Sequence, residues 1–214
     1  MVNKMMEPRI HGLSDLARVA QDHGELPVQA WDPPFCGDIG LEICSDGRWL
    51  YQGSPISRLR MVKLFSRILR REPDGRYHLV TPVEKVGISV EDAPFLAVEM
   101  DVSGRGRDQV LTFRTNVDDV VVVDRDHPLF FRIEAASGGL KPYVRVRGRL
   151  DALVTRALFY DLVELAVKAH DLDLDESFIA TRPTSSSGEE RKAGKGEQAP
   201  GVWSKGVWFI LAAL

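Results

Sequence analysis

A chain of 214 residues, 44% hydrophobic and 28% charged, is long enough for one sizeable core or two small domains. Its net charge of −3 argues against bulk nucleic-acid binding while leaving room for local cationic patches. No stretch reaches the length of a membrane span, the start lacks the apolar run of a signal peptide, and the expected location is cytoplasmic.

Residues 13 to 23 predict a short helix with Leu13, Leu16, Val19 and Ala20 on its apolar side and Gly24 ending it. Pro27, Pro33 and Pro34 then bracket Trp31 in an extended segment, where Trp31 and Phe35 read as apolar anchors. The cysteines, Cys36 and Cys44, are too few for a disulfide framework or a four-cysteine zinc site, and free thiols are expected.

The most informative stretch runs from Asp38 to Val86. Asp46-Gly47 separates Ile43 from Trp49, Leu50 and Tyr51, and Asp74-Gly75 precedes Tyr77, Leu79 and Val80. Asp-Gly between apolar runs signals a hairpin, because glycine accepts the positive φ of a tight turn. Between the two turns, about Ser57 to Arg71 predicts an amphipathic helix with Ser54 or Ser57 as N-cap. Met61, Val62, Leu64, Phe65, Ile68 and Leu69 share one arc. Arg60, Lys63, Arg67, Arg70 and Arg71 share the other, with no acidic residue from Ile56 to Arg71. Such a stripe is most often a solvated face, and otherwise an anion or partner site.

Short β-branched and aromatic runs follow: Val83 to Val90, Phe95 to Val102, Gln109 to Thr115, Val120 to Val123, Leu129 to Ile133 and Tyr143 to Val146. Turn-forming residues separate them, which indicates antiparallel strands rather than βαβ units. Asp151 is expected to cap a helix to about Lys168, with Val154, Leu158, Phe159, Leu162, Leu165 and Ala166 inward. This element order is the outline of a pleckstrin-homology-like half-barrel capped by a helix, a fold analogy only. Residues 182–200 lose their hydrophobics and read as a disordered linker. The closing WSKGVWF echoes CSDGRWL at 44 to 50 and predicts a hairpin returning to the body, with the central hairpin as its neighbour.

No catalytic signature is present. The histidines are scattered, and His127 beside Asp124 and Asp126 reads as a turn before it reads as a metal site. The pattern G-x-S-x-G is absent around Ser54, and Gly104 and Gly106 lack the rest of a dinucleotide fingerprint. Neither a cofactor nor a metal is implied, and the reading leans against an enzyme. Regularly spaced arginine does recur: strand alternation puts Arg145, Arg147 and Arg149 on one face, opposite Val144 and Val146. The planar guanidinium suits phosphate or carboxylate.

Asp46-Gly47, Trp49, Tyr51, Gly53-Ser54-Pro55-Ile56, Arg58, Leu64-Phe65, Ile68-Leu69, Arg70-Arg71-Glu72, Asp74-Gly75, Tyr77, Thr81-Pro82-Val83-Glu84 and Asp92-Ala93-Pro94-Phe95 together resemble the bacterial family catalogued as domain of unknown function 1285. The resemblance implies repeated core motifs, a pleckstrin-homology-like C-terminal half, a nucleotide-like ligand between the halves, and a role in signal transduction. The expected fold is α+β: two small β-rich halves, residues 1–80 and 81–170, then the linker and a C-terminal hairpin at 201–214. The expected function is a non-enzymatic module for an anionic ligand. Trp49 or Tyr51 would stack on an aromatic group, while Arg58, Lys63, Lys85, Arg145 and Arg147 neutralise phosphate. The alternative is a protein–protein module using the basic face 58–71 on an acidic partner. An enzyme built on Glu84, Asp92 or His127 comes third.

Overall fold

A computed structural model of the chain describes residues 26–134, 137–180 and 200–211. The helix expected at 13–23 and, apart from Pro200, the linker expected at 182–200 lie outside the described residues. The architecture is α+β and β-rich: two six-stranded sheets, one of them a curled half-barrel capped by a helix, and a separate two-stranded hairpin. Among the described residues no helix is long and apolar enough to cross a membrane. The chain divides into two compact units. One takes in the described residues up to Ala97 with Arg114–Asp119 and Arg145–Leu153; the other takes in Val98–Phe113, Val120–Val144 and the described residues from Val154 onward.

The first unit contains a sheet ordered β3-β2-β1-β6-β5-β4, made of β1 (Phe35–Ile43), β2 (Trp49–Tyr51), β3 (Ser54–Pro55), β4 (Leu69–Arg71), β5 (Tyr77–Val80) and β6 (Lys85–Val90). Each Asp-Gly dipeptide turns a hairpin in it, pairing Ile43 with Trp49 and Arg71 with Tyr77. The two turns are closed by the same bracket. Asp46 accepts the Arg48 backbone N–H at 3.0 Å and its Nε at 2.6 Å; Asp74 does the same for Arg76 at 3.0 and 2.8 Å. The bracket leaves the following glycine free to take positive φ, +83° at Gly47 and +89° at Gly75. The two antiparallel halves of the sheet meet in a parallel β1–β6 pair whose register shifts on either side of Asp38.

The helix between the hairpins, α1, spans Leu59–Arg67, shorter at both ends than its periodicity suggests. Ser54 lies in β3, and Arg58 is the N-cap, without a side-chain cap bond. At the other end Ile68, Leu69 and Arg70 are all buried, which consecutive residues on an amphipathic helix cannot be. Strand pairing with β5 wins there, because the second turn needs an arm on each side. Arg70 and Arg71 therefore leave the cationic face. The Arg70 guanidinium is buried, donating to the Val28 carbonyl at 2.9 Å, the Trp31 carbonyl at 2.6 Å and Glu72 at 2.6 Å.

The second sheet is ordered β10-β11-β12-β7-β8-β9, from β7 (Phe95–Ser103), β8 (Val110–Thr115), β9 (Val120–Val122), β10 (Leu129–Ile133), β11 (Leu140–Arg147) and β12 (Leu150–Val154). Asp151 caps no helix: it lies within β12, 1% exposed, where Arg145 and Arg71 face its carboxylate. The tight turn at Gly148, φ +51°, gives β11 a partner before the helix begins. The capping helix α2 runs Arg156–Ala180 and buries Leu162 and Ala166.

In the second unit β13 (Gly201–Ser204) pairs antiparallel with β14 (Val207–Ile210), with Trp203 opposite Trp208. Val202, Phe209 and Leu211 are buried. The hairpin is held at Gln109, whose Nε2 donates to the Trp203 carbonyl at 2.8 Å, and by the Lys205 N–H on the Gln109 carbonyl at 2.9 Å. The Ser204 hydroxyl accepts from the Leu111 N–H at 3.0 Å and donates to the Val123 carbonyl at 2.6 Å. Those partners, on β8 and just after β9, are not the central hairpin that the sequence echo points to.

Candidate functional site

Within the first unit a cleft of about 590 Å³ is lined by Leu26, Pro27, Val28, Gln29, Arg67, Leu69, Asp119, Arg147 and Gly148. Three pieces of chain build it. The end of α1 delivers Arg67 and the start of β4 delivers Leu69. A 3-10 turn at Val28–Ala30 forms one wall, pinned by Arg70 through the Val28 and Trp31 carbonyls. The end of β11 supplies Arg147, which is fixed on several sides. It is bonded to Asp119, donates to the Ser66 carbonyl at 2.7 Å, and lies 5.1 Å from the centre of the Phe95 ring. A guanidinium already ordered by such contacts loses little side-chain entropy on meeting an anion. Two cations and one carboxylate face a partly apolar wall, an arrangement suited to a small anion with an apolar portion.

The residues expected to form the site do not all converge here. Arg147 lines this cleft. Arg145 is half-buried and bonded to Asp151 and, at 3.0 Å, to the Gly148 carbonyl. The Arg145/Arg147 face is thus opposed by Asp151 and Asp119, and Arg149 lies exposed beyond the strand. Lys63 pairs with Asp118, which also holds Arg114 at 2.8 Å. Arg58 is exposed at the N-cap of α1. Trp49, 2% exposed, is part of the core and presents no ring face to a ligand. Tyr51 is half-buried on β2, its hydroxyl 3.5 Å from Gln52 Nε2. Arg67 belonged to the predicted basic stripe without being singled out; its place at the last turn, nearest β4, sets it apart from Arg60.

Lys85 lines a different cleft of the same unit, about 370 Å³, with Phe35, Glu72, Pro73, Asp74, Arg76 and His78. Here Glu72 joins Arg70 at 2.6 Å and Lys85 at 3.4 Å. Burial opposes its ionisation, yet Arg70 and then Lys85 hold the carboxyl below the usual range. His78 is 3% exposed. Burial first, then the Lys85 charge, pushes the imidazole below its ordinary value, so the ring is neutral at pH 7. Neither residue stands out in the sequence. The signal available was strand alternation, which sets Arg70, Glu72, Arg76, His78 and Lys85 on one sheet face.

Two other clusters are poorer. Glu42, Cys44 and Glu91 bring ligand-type atoms within 4.8 Å of one another. The Cys44 thiol is pushed up by burial, then by Glu91 and Glu42, which disfavours the thiolate a metal needs. Asp124 accepts the backbone N–H groups of Asp126 and His127 at 3.0 and 2.9 Å; that is turn chemistry. Both cysteines are free, Cys36 exposed and Cys44 buried.

Comparison with known proteins adds a family. Residues 26–93 match the domain described as "Domain of unknown function (DUF1285), N-terminal domain", and residues 94–181 match "Protein of unknown function (DUF1285), C-terminal domain". The crystal structure of a DUF1285 family protein from Silicibacter pomeroyi is similar at 44% identity and a TM-score of 0.75, over 94% of each chain. A second DUF1285 structure, from Shewanella baltica, matches at 27% identity over 58% of this chain and 91% of its own, with a TM-score of 0.46. No curated protein matches the chain.

Proposed function

We propose that this chain, which belongs to the DUF1285 family across both matched domains, is a non-enzymatic module that binds an anionic, nucleotide-like small molecule in the Arg67–Arg147 cleft. One observation carries the reading. A helix cation and a strand cation line the same cleft within one compact unit. Its lining residues up to Leu69 fall in the N-terminal match, and Asp119, Arg147 and Gly148 fall in the C-terminal match. The ligand therefore sits where both family domains contribute lining residues. Phosphate would meet the two guanidiniums, and a base would lie on Leu26, Pro27 and Leu69. The helix-capped half-barrel supports the pleckstrin-homology-like comparison, and with it a cytoplasmic signalling role in which ligand occupancy is the message.

The test is a thermal-shift panel of nucleotides and phosphometabolites at low salt. A ligand at 100-fold its dissociation constant adds about 2.7 kcal/mol, or roughly 5–10 °C for a domain of this size. Arg67→Gln and Arg147→Gln should each remove the shift. The absence of any anion-dependent shift would overturn the proposal.

A second reading has its own observation. Leu59 is 53% exposed at the start of α1, between the exposed Arg58 and Arg60. An exposed apolar side chain flanked in sequence by two exposed arginines fits an acidic protein surface. Reversing Arg58 and Arg60 to glutamate should abolish capture of such a partner; an unchanged set of partners sinks the idea.

A further inference from the structure

We infer that the His78 cleft is a separate binding site for a small zwitterion, a molecule of the α-amino-acid class carrying one ammonium and one carboxylate. The site lies on the polar face of the first sheet. Arg70, His78 and Gly87 stand in register across β4, β5 and β6, and Gly87 in turn pairs with Asp38 of β1. A glycine in that row leaves a gap. The Asp38 carboxylate occupies the position a Gly87 side chain would take, with Phe35 Cε2 at 3.5 Å from that same position. The Phe35 ring stands edge-on to His78, centroids 5.8 Å apart.

The lining charges decide the ligand class. Glu72 and Asp74 balance Arg76 and Lys85, and His78 is neutral, so the cleft has no net attraction for a multivalent anion. It is therefore unlike the Arg67–Arg147 cleft, and this inference is independent of that one. Its charges also differ in how firmly they are held. Glu72 keeps Arg70 at 2.6 Å, whereas Lys85 stands off at 3.4 Å. Lys85 can turn its ammonium to an arriving carboxylate while Arg70 goes on neutralising Glu72.

One group in this corner lacks a partner: His78 Nδ1 is buried with no hydrogen bond among the described residues. Asp38, by contrast, is exposed, and its charge acts on Arg76. A buried ring nitrogen without a partner is costly, and bulk water does not reach this one. A ligand ammonium seated against the exposed Asp38 carboxylate reaches the imidazole nitrogen once the half-exposed Phe35 ring turns away from its edge-on contact. The volume, about 370 Å³, falls at the small end of ligand sites.

The experiment is a titration of the intact chain with each free amino acid, read by calorimetry and by the ¹⁵N resonances of the His78 ring. At least one amino acid should bind and move the Nδ1 resonance. Its N-acetyl and carboxamide derivatives should bind at least about tenfold more weakly, as expected for the loss of one charge-assisted bond. His78→Phe should weaken binding by a similar factor, and Arg147→Gln should leave it unchanged. If His78→Phe fails to fold, the wild-type Nδ1 resonance decides alone. The inference is overturned if no amino acid moves that resonance, if the blocked derivatives bind equally well, or if inorganic phosphate produces the same change.

Discussion

Ser204 donates its hydroxyl proton to the Val123 carbonyl at 2.6 Å, and the same oxygen accepts the Leu111 N–H at 3.0 Å. The Val123 N–H reaches the Leu111 carbonyl at 2.9 Å, so the serine stands where the return bond of that backbone pair would lie. Ser204 is wholly buried. Ser204→Ala strands a donor and an acceptor away from water, at a cost of about 2 kcal/mol. The melting temperature should drop by roughly 4–8 °C, and differential scanning calorimetry measures it. Ser204→Cys, with a weaker donor, should fall between.

The hairpin that carries Ser204 has a second requirement at Gly201. A Cβ there would stand 2.5 Å from the Trp208 ring and 2.6 Å from the Phe209 carbonyl, closer than packed atoms come. Gly201→Ala should push β13 off β14 and expose Trp203 and Trp208, seen as a red-shifted tryptophan emission before global unfolding. Gly53→Ala is the control: open space surrounds that position, so its φ of +77° supplies the only strain, about 1 kcal/mol.

Arg70→Lys should be far from conservative. The guanidinium serves two carbonyls and Glu72 together, and an ammonium on a flexible stem does not reproduce that fork. Leaving the Val28 and Trp31 carbonyls without the fork's donors costs about 1–3 kcal/mol. Urea denaturation should show a lower midpoint with an unchanged slope. Arg60→Lys, on an exposed position of α1, should do nothing measurable.

The depressed His78 sets a pH window. Folding disfavours the protonated ring, chiefly through burial and then through Lys85. The unfolded chain therefore takes up the proton first. His78's contribution is complete above the ordinary value of 6.5 and declines as the pH falls through it toward the lower folded value. Glu72 is also depressed, from 4.5, so its contribution is lost only in more acid solution. Between pH 7.5 and 5.5 the urea midpoint should fall, and His78→Phe should flatten that fall. An equally steep fall in the variant would assign it to another group.

The parts of the fold governed by short-range chemistry were legible. Both Asp-Gly turns and the Leu129–Ile133 strand can be read directly, because turn residues and alternation act locally. What misled was a pattern serving two states. Ile68 and Leu69 continue the apolar arc of α1 and Arg70 its basic arc, yet pairing with β5 overrides both. Asp151 is a good N-cap by type, yet Arg145 and Arg71 claim it inside a strand. The site suffered more. Trp49 has the chemistry of a stacking platform but is spent on the core, and Arg145 is spent on Asp151. Arg67 and Arg147 become neighbours only once distant segments meet, and periodicity within one segment carries no information about that; Glu72 and His78 share the local second hairpin, where alternation gives their common face but not their burial.

The first sheet is two local meanders sewn together by one parallel seam. Within each meander the strands close across a tight bracketed turn; the seam joins Asp38 to Gly87 and Glu42 to Ser89 across nearly the whole length of the motif. Loop closure makes such a pairing late, and the register shifts beside Asp38, with Gly37 at φ +97° and Gly40 at φ +65°, leave it few regular bonds. The sheet should therefore open like a book along its spine: the β1 and β6 amides that face the seam exchange faster than those bonded within either meander, while each cover stays folded.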